Sequence, residues 1–92
     1  MVRLRGYLIC MDEAERAVVL AHRGEHIRLT LAEPGCLSFE IADTEDPLRF
    51  EVRESFRDRA AFDAHQIRTR DSDWFARSRH ILRDFQVEEL RD

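Results

Sequence analysis

The sequence predicts an α+β fold in which one antiparallel sheet carries all its helices on a single face. Three observations lead there. Four short stretches alternate apolar with polar residues, the period of half-buried strands. Between them lie stretches with helical periodicity, each opened by a side chain able to cap a helix. The order that results is β-α-β-β-α-α-β, with one greasy sheet side to pack on the helices and one polar side.

Each element has its own local reason. In Val2–Met11, alternation puts Val2, Leu4, Leu8 and Cys10 on one face and Arg3, Arg5, Tyr7 and Ile9 on the other. Asp12 caps the first helix, and Glu15 completes a capping box before the run AVVLAHRGEHIRLTL, which Pro34-Gly35 ends. CLSFEIA places Leu37, Phe39 and Ile41 on one face, DTEDP turns the chain, and RFEVRESF returns with Phe50, Val52 and Phe56 inward. Asp58 caps a second helix, RAAFDAHQIR, and Ser72 a third, DWFARSRHILRDF, before a closing strand, FQVEEL. The polar sheet side is expected to hold Arg3, Arg5, Ser38, Glu40, Glu51, Arg53, Gln86 and Glu88.

Composition narrows the function classes. Residues 1–92 suit one domain with one modest core, and 43% hydrophobic with 37% charged residues is a globular balance. No apolar run approaches the roughly 18 residues that span a bilayer, and the N-terminus has no secretory pattern, so a cytoplasmic protein without a membrane partner is expected. Cys10 and Cys36 then read as reduced thiols. All 15 basic residues are arginine, which excludes Schiff-base lysine chemistry, and a net charge of -4 argues against nucleic acid, which demands a surplus of positive charge.

His22-Arg23-Gly24-Glu25-His26 has the spacing of an inverted zinc-peptidase motif. On a helical wheel, Ala14, Ala17, Val18, Leu20, Ala21, Gly24, Ile27 and Leu31 share an apolar arc, while His22 and His26 fall with Glu15, Val19, Arg23 and Thr30 on the opposite one. The histidines are therefore expected at the surface, without a metal. Arg28 is out of character beside the apolar arc: it snorkels, pairs with a carboxylate or reaches a ligand pocket. Glu54, inward by alternation, is a candidate partner for it.

On the second helix, Ala61, Phe62 and His65 lie at i, i+1 and i+4, which points His65 inward beside a ring. Such a histidine is either a core imidazole bonded to a carbonyl or a general base at a pocket wall. Trp74, Phe75, Ile81 and Phe85, assigned to the third helix, together with Tyr7, either line a flat apolar pocket or form ordinary core.

The stretch EPGCLSFEIADTEDPLRFEVRESFRDRAAFDAH, Glu33 to His65, resembles the antibiotic biosynthesis monooxygenase domain. The resemblance implies a ferredoxin-like fold that pairs through its exposed sheet face into a dimeric α+β barrel. It also implies cofactor-free oxygenation, with dioxygen and a small aromatic or quinol-type substrate as partners. His65 matches a motif position and would be the base. By periodicity, Arg28 would stabilise negative charge and Tyr7, Phe62 and Trp74 would hold the ring. Where many members continue to a second histidine, this chain has Arg70, and its lack of asparagine sets it apart from the haem-degrading branch. The rival expectation is a non-enzymatic, dimeric small-molecule-binding or accessory protein of the same fold.

Overall fold

Seven elements follow one another in the expected order: β1 (Val2–Ile9), α1 (Glu13–Leu31), β2 (Cys36–Asp43), β3 (Arg49–Phe56), α2 (Arg59–Arg70), α3 (Asp73–Ser78) and β4 (Leu82–Glu89). They are seen in a computed structural model that describes residues 1–91. The strands form one antiparallel sheet in the order β2-β3-β1-β4, a ferredoxin-like α+β arrangement. No helix among the described residues is long and apolar enough to cross a membrane.

The caps act as the sequence suggests. Asp12 accepts from the Glu15 amide at 3.0 Å while the Glu15 carboxylate accepts from the Met11 amide at 2.8 Å. Asp58 and Ser72 accept from the Ala61 and Phe75 amides at the starts of α2 and α3. Gly35 lets the chain pass under α2, because a Cβ there would overlap that of Ala61.

Register explains the two sheet faces. Leu4 pairs with Glu54, Gly6 with Val52 and Leu8 with Phe50, so these side chains share the inner face with Phe39 and Ile41. Arg3, Arg5 and Tyr7 pair with Ser55, Arg53 and Glu51 on the outer face. The core is built from Val2, Leu8, Phe50, Phe56 and Val19, all nearly inaccessible.

Three expectations fail here. A bulge between Cys36 and Ser38 turns Leu37 outward, where it is 58% exposed. The third helix stops at Ser78 rather than running to Phe85, and Leu82–Asp84 already belongs to β4. Most consequentially, α1 buries the arc assigned to water: Val19, His26 and Thr30 face the sheet, while Ala14, Ala17, Leu20, Ala21 and Gly24 face out. The middle of the apolar arc is Ala17, Ala21 and Gly24, which offer little area to bury, so the helix turns Val19 and a stacking imidazole to the sheet and keeps Val18 and Ile27 half-buried at the flanks, with Leu20 and Leu31 outside.

Candidate active site

Between the inner sheet face and the helices lies a cavity of about 250 Å³ to which all seven elements contribute side chains. His26, Phe39, Glu54, His65, Trp74 and Arg83 give its walls their chemistry. Most of the remaining lining is aliphatic or aromatic, which suits a flat apolar ligand held by a few polar groups.

His65 is 2% exposed and is reached from both sides. Its Nδ1 lies 3.0 Å from a Glu33 carboxylate oxygen, and Arg68 holds that carboxylate through its Nε. With an ionised Glu33 as acceptor, Nδ1 carries the proton and Nε2 keeps its lone pair. The Thr69 hydroxyl stands 3.3 Å from Nε2, and Glu54 Oε1 is 3.8 Å from it. Burial lowers the His65 pKa and outweighs the opposing pull of Glu33, leaving a neutral imidazole able to accept a proton.

His26 enters from α1. It stacks on Trp74 with centroids 5.2 Å apart and planes 9° from parallel, meets Phe39 edge-on at 5.2 Å and lies 5.9 Å from His65. Burial, reinforced by His65 and two nearby arginines, pushes its pKa down to about 3. Its Nδ1 is buried without a hydrogen-bond partner. Glu54 is 6% exposed and also lacks a partner at Oε1; burial first, and then the charge of Glu33, raise its pKa to about 8. Arg83, whose pKa burial lowers, is held by the Ser78 and Ile81 carbonyls at 2.8 and 3.0 Å.

Of the five residues proposed from sequence, the structure brings only His65 and Trp74 to the cavity. Tyr7 lies on the outer sheet face with the Arg49 guanidinium 5.0 Å from its ring centre, because strand alternation sends it away from Leu4 and Leu8. Arg28 is exposed and bonded to Glu25 at 2.6 Å, since its helix is turned the other way; it pairs neither with Glu54 nor with a ligand pocket. Phe62 is buried in the core, edge-on to Phe56 at 5.7 Å, and does not line the cavity. Phe75 and Phe85 do line it, Phe85 from β4 rather than α3, whereas Ile81 is buried core.

His26, Glu33 and Arg83 were not anticipated. Of the motif His22-Arg23-Gly24-Glu25-His26, only His26 departs from the expected surface position, because α1 turns it to the sheet; Gly24 and Glu25 are exposed and His22 is partly exposed, 3.8 Å from Asp73. Glu33 stood in the E-P-G sequence that marks the helix end, and the only available sign was its position next to that break. Arg83 falls on the inner face only once β4 is seen to start at Leu82. The second imidazole of the cavity thus comes from α1, and not from position 70. Among the described residues, no three His, Cys, Asp or Glu side chains are grouped to hold a metal ion.

The sequence model of a family described as antibiotic biosynthesis monooxygenase matches residues 8–77. No curated protein matches the chain significantly. Among solved structures, a Deinococcus radiodurans protein provisionally named an antibiotic biosynthesis monooxygenase superposes with a TM-score of 0.83 at 20% identity, over 100% of this chain and 94% of its own. Rv0793 from Mycobacterium tuberculosis gives 0.76 at 22% identity, over 99% and 95%. A further structure, named an antibiotic biosynthesis monooxygenase, gives 0.69 at 28% identity, over 100% and 98%.

Proposed function

This chain belongs to the antibiotic biosynthesis monooxygenase family, and from that premise we propose that it is a cofactor-independent monooxygenase of a small aromatic or quinol-type metabolite, with His65 as its base. Membership and the names of its structural neighbours support a monooxygenase in general. One observation supports the base: a buried imidazole at the wall of an aromatic-lined cavity, with its Nδ1 3.0 Å from the Glu33 carboxylate, an arrangement that favours a proton on Nδ1 and a lone pair on Nε2.

The chemistry asks little of the protein. Loss of a proton from a quinol leaves an electron-rich anion that itself reduces dioxygen. One oxygen atom enters the ring carbon, the other leaves as water, and the quinol ends as a hydroxyquinone, so the substrate supplies all the electrons. The protein supplies a proton acceptor, a dry cavity and a fixed orientation. His65 Nε2 accepts the proton, and Glu33 stabilises the imidazolium that forms. Trp74 and Phe39 hold the ring, Phe39 taking the place expected of Tyr7 and Phe62.

We further propose that two copies pair through the polar outer sheet face and that the protein works in the cytoplasm. The unpaired thiols of Cys10 and Cys36 are compatible with that compartment. Metal-stripped protein should accelerate oxygen uptake with a panel of hydroquinones and anthrones, and His65→Ala should reduce the rate by about 100-fold or more while the circular dichroism spectrum stays the same. An unchanged rate in the variant removes His65 as the base. Binding of the panel without any uptake favours the accessory-protein alternative.

A further inference from the structure

Glu54 is the carboxyl in the cavity that the mechanism above leaves unused, alongside His26, Arg70 and Arg83. It projects from the inner face of β3, between Leu4 of β1 and Phe39 of β2 in register. It is 6% exposed, lines the cavity and has no hydrogen bond at Oε1. A buried carboxyl without a partner carries a desolvation cost, so a group that enters the cavity and bonds to it recovers free energy.

Its surroundings define what it can do. His65 Nε2, the lone pair left free by Glu33, is 3.8 Å from Oε1, within reach of a small side-chain adjustment. Glu33 and Arg68 face the imidazole from its Nδ1 side, Thr69 from its own helix and His26 from α1. Arg83 of β4 lines the cavity too, but its guanidinium is committed to Ser78 and Ile81. A carboxyl that lines the cavity beside His65 thus lies 3.8 Å from the lone-pair nitrogen of the proposed base, with the Thr69 hydroxyl at 3.3 Å as that nitrogen's other neighbour.

We propose that Glu54 is a catalytic acid–base residue that meets the substrate hydroxyl and relays its proton to His65, with Glu33 as the positioning residue behind the imidazole. This rests on the oxygenase reading for its substrate but not for its geometry. The substrate O–H bond breaks toward one Glu54 oxygen while the proton on the other oxygen moves to Nε2, and the bonding pair stays on the substrate oxygen. Glu54 is neutral before and after. His65 ends as imidazolium beside ionised Glu33, so charge is separated only where a counter-charge already waits.

The test starts without substrate. In protein carrying ¹⁵N-histidine and ¹³C-carboxyl glutamate, His65 should appear as the Nδ1–H tautomer. The Glu54 carboxyl carbon should titrate near its raised value of about 8, and the Nε2 resonance should shift over the same pH range. Glu54→Gln should abolish that Nε2 inflection, and Glu33→Gln should give mixed tautomers. An Nε2 resonance that does not follow Glu54 overturns the relay, and the wild-type titration alone decides this if a variant fails to fold. With any hydroquinone that the wild type oxidises, Glu54→Gln should lower kcat by about 100-fold or more with little change in KM; an unaltered kcat also overturns the relay. If the wild type oxidises none, the oxygenase reading fails, and the NMR titration still decides the relay.

Discussion

His26 and Glu54 line the same cavity, and burial holds both in their uncharged forms at neutral pH. Their effects on stability have opposite signs. The His26 pKa falls from 6.5 to about 3, so its contribution is present above pH 6.5 and is lost as pH drops towards 3, and that of His65 runs in the same direction. The Glu54 pKa rises from 4.5 to about 8, so its contribution is present below pH 4.5 and is lost as pH rises through 8. Between 4.5 and 6.5 the slopes oppose each other, and from 6.5 to 8 the Glu54 slope remains. Urea unfolding over that upper window should show the wild type losing about 1–2 kcal/mol and Glu54→Gln holding level. An equal decline in both would mean that Glu54 ionises normally. At this scale the sequence revealed that Glu54 and His65 point inward, by alternation on β3 and by spacing on α2. It concealed His26, because wheel position alone does not tell which of two arcs of α1 packs on the sheet.

The elements were legible where a cap or an alternation marks them and illegible where a tertiary contact decides. The end of α3 is the clearest case. DWFARSRHILRDF reads as one helix, yet Ser78 closes it: its hydroxyl donates to the Trp74 carbonyl at 2.6 Å, and the Ile81 amide returns to the Ser78 carbonyl at 2.9 Å. Arg83, two residues beyond Ile81, donates to the Ser78 hydroxyl at 2.9 Å and ties β4 to α3. Helix propensity does not encode that side-chain contact across the turn. Ser78 is fully buried, so Ser78→Ala leaves a half-buried guanidinium one acceptor short and should cost about 1–2 kcal/mol in urea unfolding. A loss no larger than that of an exposed serine would show that the closure depends on backbone contacts alone. The bulge at Leu37 is a smaller instance, since the alternation through Phe39 and Ile41 gives no sign of the extra residue.

Across the whole molecule, the polar outer sheet face raises the remaining question. Arg3 bonds Glu88 at 2.5 Å and Arg53 bonds Glu51 at 3.1 Å, but Arg5 and Arg53 stand directly opposite each other and Leu82 is 60% exposed on the same side. Glu51 and Glu40 of the same sheet already flank Arg53, and a second sheet seated here would bring further carboxylates to Arg5 and cover Leu82. Sedimentation at micromolar concentration should therefore give twice the monomer mass, and a monomer there would contradict the pairing. The element order, the single-sided helix layer and the polarity of this face all followed from periodicity, because one greasy face per strand permits few ways to stack layers. The cavity did not, because a void is a property of how seven elements meet. In that void, as proposed, His65 takes a proton from a phenolic ligand, and the most direct test mixes an anaerobic hydroquinone with the protein at neutral pH and follows the absorbance of its anion. Anion should form well below the phenolic pKa of about 10 with the wild type and not with His65→Ala; equal anion formation with both proteins would remove His65 as the proton acceptor.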